Sequence, residues 1–165
     1  MEATLAIKEK VGEEVGLATH YEEERGKPRP SKNHAIVQHR LGVRLSHYED
    51  RLTILPELSL ELGGKPMVPD ISVYPKLDID WYNDEVQLTD PPQLVIEILS
   101  PRQPLDDLVR KAQAYLAAGV KSCWIVQPVL RSIVVLRPDE KPITHSDAVN
   151  DPTTGIEISV DKLFG

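Results

Sequence analysis

Residues 52–62 alternate apolar and polar positions. Leu52, Ile54, Leu58, Leu60 and Leu62 stand against Thr53, Glu57, Ser59 and Glu61. A period of two predicts a strand buried on one face, and Pro56, which cannot donate to a sheet ladder, predicts a break or bulge within it. Upstream the period changes. Ser31 and Asn33 are capping residues, and Ile36, Val37, Leu41 and Leu45 recur at helical spacing, so a helix is expected from about 33 to 47. Residues 68–74 read as a second short strand, and the polar stretch 76–92, closed by Pro91-Pro92, reads as a loop.

Residues 94–99 (Leu-Val-Ile-Glu-Ile-Leu) are apolar except for one position, which suits a central strand covered on both faces. After a turn at 101–104, a helix is expected from Asp106 to about Ala118, with Gly119 at the C-terminal cap. Residues 123–126 and 132–136 form two further strands joined near Pro128, most simply a hairpin. Residues 156–164 suggest a short extended piece and a terminal turn. The first twenty residues are ambiguous. Leu5, Ile7, Val11, Val15 and Leu17 hint at a helical face that Gly12 and Gly16 weaken, so this stretch is expected to be peripheral. The order of elements predicts one mixed α/β domain, with helices flanking a central sheet.

A chain of 165 residues is about one domain long. Its single cysteine, Cys123, excludes an internal disulfide and a cysteine-rich zinc site. No apolar run reaches the roughly 18–20 residues of a membrane span, and the first ten residues lack the basic-then-apolar order of a signal peptide. A cytoplasmic protein with no membrane partner is expected. The net charge of −7 argues against a general nucleic-acid binder. Its distribution softens that argument: Arg25, Lys27, Arg29, Lys32, Arg40, Arg44 and Arg51 cluster with His34, His39 and His47, while the acidic excess lies in residues 13–24 and 78–90.

Glu97 is the anomaly within residues 94–99. A buried carboxylate is costly unless paired, protonated or bound to a metal. By alternation it shares a face with Val95 and Leu99. Asp70, at the head of the 68–74 strand, is the first candidate to share its site. If the two strands lie side by side, both carboxylates can converge on one cation, and magnesium accepts one or two protein carboxylates plus waters and phosphate. Lys111 is the third candidate, on a helical stripe with Leu108, Ala112 and Tyr115. Plainer readings stand beside these. Lys111 could pair with Asp107 one turn earlier, Glu97 could be structural, and Asp70 could be a strand-edge residue. His34 could pack locally or meet a phosphate at a helix start. Tyr115 and Cys123 read as core, the basic cluster as a solvated face or a nucleic-acid contact, and Ser100 lacks partners for a triad.

Pro69-Asp70, the run Pro91-Pro92-Gln93-Leu94-Val95-Ile96-Glu97-Ile98-Leu99-Ser100-Pro101, then Lys111, Tyr115, Gly119-Val120 and Trp124-Ile125-Val126 resemble, in order, the Uma-two family. Tyr21-Glu22, Gly26, Pro30-Ser31 and His34 fit the way that family opens. The resemblance covers roughly residues 21–165. It implies a restriction-endonuclease-like fold of the PD-(D/E)XK superfamily and a metal-dependent endodeoxyribonuclease. Asp70 and Glu97 would bind magnesium, or manganese in its place, and Glu22 would add a contact. The superfamily's lysine, two residues after the glutamate, is Leu99 here, so the resemblance implies that Lys111 supplies that function. DNA is the implied substrate, and cutting both strands is simplest for a homodimer. Two rivals stay open: a catalytically silent binding or regulatory module, and a metal-dependent phosphohydrolase of small nucleotides.

Overall fold

Helix α1 (Lys32–Leu45) starts at Ser31, whose Oγ accepts the His34 N–H at 3.2 Å. Its buried positions, His34, Val37, Leu41 and Leu45, fall on one stripe. A 3-10 turn (Ser46–Tyr48) ends it. The computed structural model describes Glu23 and residues 26–165, and the architecture below is that of the unit Ser31–Gly165. The expected strand over 52–62 is two strands in two sheets. Strand β1 (Leu52–Pro56) stops at Pro56, Glu57 adopts a left-handed φ of 57°, and β2 (Ser59–Leu62) departs into a second sheet. There it lies between β3 (Lys65–Met67) and β5 (Gln87–Leu88). Strand β4 (Ile71–Pro75) begins three residues later than the pattern suggested.

The central sheet has six strands in the order β1-β4-β6-β7-β8-β9, where β6 is Leu94–Ile98, β7 Ser122–Gln127, β8 Ser132–Leu136 and β9 Ile143–His145. Strand β4 runs antiparallel to β6, and β6 runs parallel to β7. Helix α2 (Leu105–Ala117) makes the crossover that a parallel pair requires. Asp106 and Asp107 fill its first turn, where carboxylates favour the helix dipole. Gly119 follows it at φ 105°, and a Cβ there would lie 3.1 Å from Pro91 Cγ. This close approach ties the end of α2 to the loop that feeds β6. Strands β7 and β8 form the expected hairpin.

Both faces of β6 are covered, by different layers. Leu94, Ile96 and Ile98 pack with Val37, Leu41 and Leu45 of α1, and with β10 (Ala148–Asn150), β11 (Glu157–Ser159) and the short terminal helix α3 (Val160–Phe164). Val95 packs with Leu108, Ala112 and Tyr115 of α2 and with Leu60 and Leu62 of the small sheet. Strands β3, β5, β9 and β10 lack a sequence signal because each has only two or three residues, too few to show a period.

The position of α1 gives a direct test. Leu41→Ala, at a fully buried site, is expected to cost roughly 2–5 kcal/mol. Ile36→Ala on the exposed face of the same helix should change stability by less than about 0.5 kcal/mol. Urea denaturation would measure both, and equal costs would place α1 in the wrong rotation.

Candidate active site

Continuing the β4–β6 register from the pair Ile71↔Ile96 by one step sets Asp70 opposite Glu97. Both side chains are almost wholly buried, at 1% and 2% exposure. Glu97 faces the α2 layer, as its alternation with Ile96 and Ile98 requires. Its Oε1 accepts the Tyr115 hydroxyl at 2.9 Å and lies 2.7 Å from Lys111 Nζ. The ammonium also donates to the Val68 carbonyl at 3.3 Å, just upstream of Asp70. Lys111 therefore reaches both strands from α2. Asp107, its alternative partner by helical spacing, pairs instead with Arg110. The i+3 neighbour satisfies the exposed carboxylate, and Lys111 turns inward to the buried one.

Asp70 stands one residue outside β4, where strict alternation has ended, and groups from the other layer reach it. Its Oδ2 accepts the Ile98 amide at 2.7 Å and lies 3.2 Å from His34 Nε2. Its carbonyl accepts the Glu57 amide at 3.0 Å, and Gln38 Nε2 lies 3.5 Å away while donating to Glu57 Oε1 at 3.2 Å. The His34 tautomer that donates to a carboxylate carries its proton on Nε2. Its Nδ1 has no hydrogen-bond partner among the described residues. Sequence reasoning read His34 as a helix-start residue; it is buried against Asp70. The available signal was the one that singled out Lys111, a polar residue on an otherwise apolar helical stripe (His34, Val37, Leu41, Leu45).

The environment also decides which groups hold their protons. Burial first, then the charge and hydrogen bond of Glu97, push the Tyr115 phenol far above its ordinary value. Tyr115 is thus a fixed donor to Glu97 and no phenolate base. Burial and the Glu97 charge likewise push the Cys123 thiol up, which removes it as a nucleophile. Asp70, Glu97 and Lys111 come together; Glu22 lies outside the described residues. Of the basic cluster, Arg40 donates to the Leu163 carbonyl at 3.0 Å, Arg44 to that of Lys162 and Arg51 to that of Thr154. These three guanidinium groups fasten the C-terminal elements, a structural task the charge pattern did not reveal.

The donor set fits a hard divalent cation. It offers oxygen ligands only, from two carboxylates at adjoining positions, and magnesium takes one or two such ligands with waters. Among the described residues no cluster of three or more His, Cys, Asp and Glu side chains is placed to hold a metal ion. Among the same residues no helix is long and apolar enough to cross a membrane.

A mixed sheet with a helical crossover defines an α/β fold, and it brings an Asp, a Glu and a Lys together at the β4–β6 junction. Residues 18–161 match the family model Uma2, "Putative restriction endonuclease", and the chain belongs to that family. Its fold is similar to a crystal structure from Anabaena variabilis ATCC 29413 described as "a putative nuclease belonging to DUF820". The TM-score is 0.71 and the identity 22%, covering 83% of each chain. A weaker similarity is to the cryoEM structure of a DrdV-DNA complex, with TM-score 0.38, 15% identity, and coverage of 79% of this chain and 13% of that one. A search of curated proteins gives no match.

Two predictions follow from this geometry. Lys111→Ala removes the ammonium from a buried carboxylate and is expected to cost about 3–5 kcal/mol. Adding Glu97→Ala should restore part of that loss, and strictly additive costs in a denaturation cycle would refute the coupling. The second concerns alkali. Tyr74 is raised to about 12, chiefly by burial, and Tyr115 is raised further. An unfolded chain loses both protons near pH 10, whereas the folded one keeps them. Their contribution is therefore complete below pH 10; that of Tyr74 is lost as pH rises through about 12, and that of Tyr115 keeps falling beyond it. Thermal melts should fall over that range, and Tyr115→Phe should lessen the fall.

Proposed function

We propose that this chain is a divalent-cation-dependent endonuclease that hydrolyses phosphodiester bonds in DNA, acting as a cytoplasmic homodimer. The observation that carries the reading is two buried carboxylates, Glu97 in β6 and Asp70 one residue before β4 at the adjoining position, with Lys111 Nζ 2.7 Å from Glu97. Family membership supports the nuclease class. Restriction-endonuclease-like families generally use divalent metals, and Asp70 and Glu97 are the residues that would hold magnesium or manganese here.

A bound divalent cation supplies a water of lowered pKa and stabilises negative charge at the phosphodiester. The chain's own residues do the rest. His34 and the Ile98 amide fix Asp70 Oδ2, so this carboxylate keeps one orientation. Tyr115 does the same for Glu97 Oε1. Lys111 reaches the junction from the following helix and takes the role of the lysine missing at Leu99. Its positive charge attracts the phosphate and orients the attacking water. Glu22 is proposed as a further contact to metal or water.

One observation favours a second reading, a silent nucleic-acid-binding or regulatory module. Glu97 Oε1 already receives both Lys111 and Tyr115, a self-sufficient arrangement for a structural carboxylate. The test is cleavage of plasmid, single-stranded DNA and RNA with magnesium or manganese, run beside calorimetric metal titration. Plasmid nicking that falls at least about 100-fold in Asp70→Asn, Glu97→Gln and Lys111→Met is expected. Metal affinity should be lost in the two carboxylate variants. No cleavage and no metal binding would leave the silent module. Cleavage indifferent to Glu97→Gln would refute this site while sparing the activity.

A further inference from the structure

Within the unit Ser31–Gly165 every arginine but two is engaged. Arg40, Arg44 and Arg51 donate to carbonyls of the C-terminal segment, Arg110 pairs with Asp107, and Arg137 pairs with Glu140. Arg102 and Arg131 are exposed, and neither guanidinium has a hydrogen-bond or ion-pair partner among the described residues. Both stand where the backbone favours glycine. Arg102 has a φ of 66° and Arg131 one of 46°, in the left-handed region. In Ser100-Pro101-Arg102-Gln103 the Gln103 amide donates to the Ser100 carbonyl at 3.2 Å. Proline second and a left-handed residue third is the type II pattern, whose third place calls for Gly. Arg131 ends the loop 128–131, its amide on the Pro128 carbonyl at 3.2 Å, at a place where hairpin loops commonly seat Gly. Each turn thus carries a long charged side chain where none at all would suit the backbone better.

The sheet brings these two turns to the candidate site. Strands β6 and β7 are parallel, with Glu97 beside Ile125 and Ile98 beside Val126, so the turns that leave them open at one edge. Asp70, opposite Glu97 at the start of antiparallel β4, stands at the same edge. Ligands of open α/β sheets gather outside the carboxyl ends of such parallel strands. Arg102 lies in the turn that follows β6. Arg131 precedes Ser132, whose partner Gln127 lies two positions past Ile125 along β7. At strand spacings of about 4.8 Å across and 3.3 Å along, the Arg131 Cα lies roughly 14 Å from that of Glu97. The side chain covers part of that span. Its guanidinium can therefore meet a phosphate a few nucleotides along a strand whose scissile bond lies at the carboxylates. Neither turn, 99–104 or 128–131, contains an acidic residue.

We propose that Arg102 and Arg131 hold the phosphate backbone of duplex DNA against the Asp70–Glu97 junction. A guanidinium binds phosphate bidentately and stays charged at any working pH. Backbone contacts of this kind fix the position of the duplex without reading its sequence. The inference rests on the nuclease reading of the site and names the residues that seat its substrate. It also divides the work: Lys111, tied to Glu97, serves the reacting phosphate, and the two arginines serve its neighbours.

The experiment is binding of the full chain to a short fluorescein-labelled duplex, read by anisotropy over a range of salt without divalent metal. Thermal melts are run beside it. Glycine suits both backbones, so Arg102→Gly and Arg131→Gly should melt no lower than wild type. Each should flatten the slope of log affinity against log salt by about 1, and the double variant by about 2. Arg102→Lys/Arg131→Lys keeps both charges and should keep the wild-type slope. Lys121→Ala, at an exposed lysine of the opposite edge, just before β7, should leave the slope unchanged. An equal loss in Lys121→Ala would reduce the effect to net charge and overturn the assignment. A wild type that binds no duplex, or a slope indifferent to both glycine variants, would also overturn it. Glycine variants that melt well below wild type would do the same, by making the arginines structural. Plasmid nicking by the double glycine variant at the wild-type rate would refute the two arginines and spare the nuclease. A metal-supplied wild type that nicks nothing, yet binds with the arginine-dependent slope, would keep the arginines and remove the catalysis.

Discussion

Burying Glu97 in the middle of β6 constrains everything around it. The strand is central and apolar on both sides, so water cannot solvate the carboxylate, and the protein must supply a cation and a donor from its own elements. Helix α2 does both with Lys111 and Tyr115, which sit four residues apart and so project from one face. The helix can do so only if its register over the sheet is held. Gly119 against Pro91 at one end and Leu108 and Ala112 in the core fix that register. A helix needed for topology, to join two parallel strands, thus also neutralises the charge that its preceding strand buries.

The second carboxylate is held by another logic. Asp70 sits just outside β4, where the pleat no longer dictates a face, and its Oδ2 meets a backbone amide from β6 and a histidine from α1. The two acids are therefore fastened from opposite layers, Glu97 by α2 and Asp70 by α1. Among the described residues, the β4–β6 pairing and Lys111, which reaches both Glu97 and the Val68 carbonyl, link the two halves of the site. That pairing is antiparallel and short, three residue pairs in register, and it lies inside the sheet with β1 and β7 outside it.

What the sequence disclosed follows from how each feature encodes itself. Helix α1, helix α2, strand β6 and the β7–β8 hairpin were legible because each is long enough to display a period. Glu97 was legible as a violation of one. The passage from β1 to β2 was only half visible. Pro56 marked the break, but the left-handed turn at Glu57 that carries the chain into another sheet has no side-chain signature. Lys111 had two partners by spacing, and nothing local could choose between Asp107 and Glu97. The choice depends on Arg110 competing for Asp107 and on burial that only the assembled sheet creates. His34 was hidden for a related reason. Asp70 is 36 residues away, and a histidine in the first turn of a helix has many ordinary explanations.

The acidic balance of the chain looks different once its charges are placed. Arg40, Arg44 and Arg51 serve carbonyls of the C-terminal segment, so they cannot all be counted as a free phosphate-binding face. Part of the acidic excess, Asp78, Asp80, Asp84, Glu85 and Asp90, lies instead in the segment around the exposed Trp81 and Tyr82. The net charge of −7 is therefore a poor guide to the field at the Asp70–Glu97 junction, where an ammonium, that of Lys111, stands 2.7 Å from Glu97 Oε1.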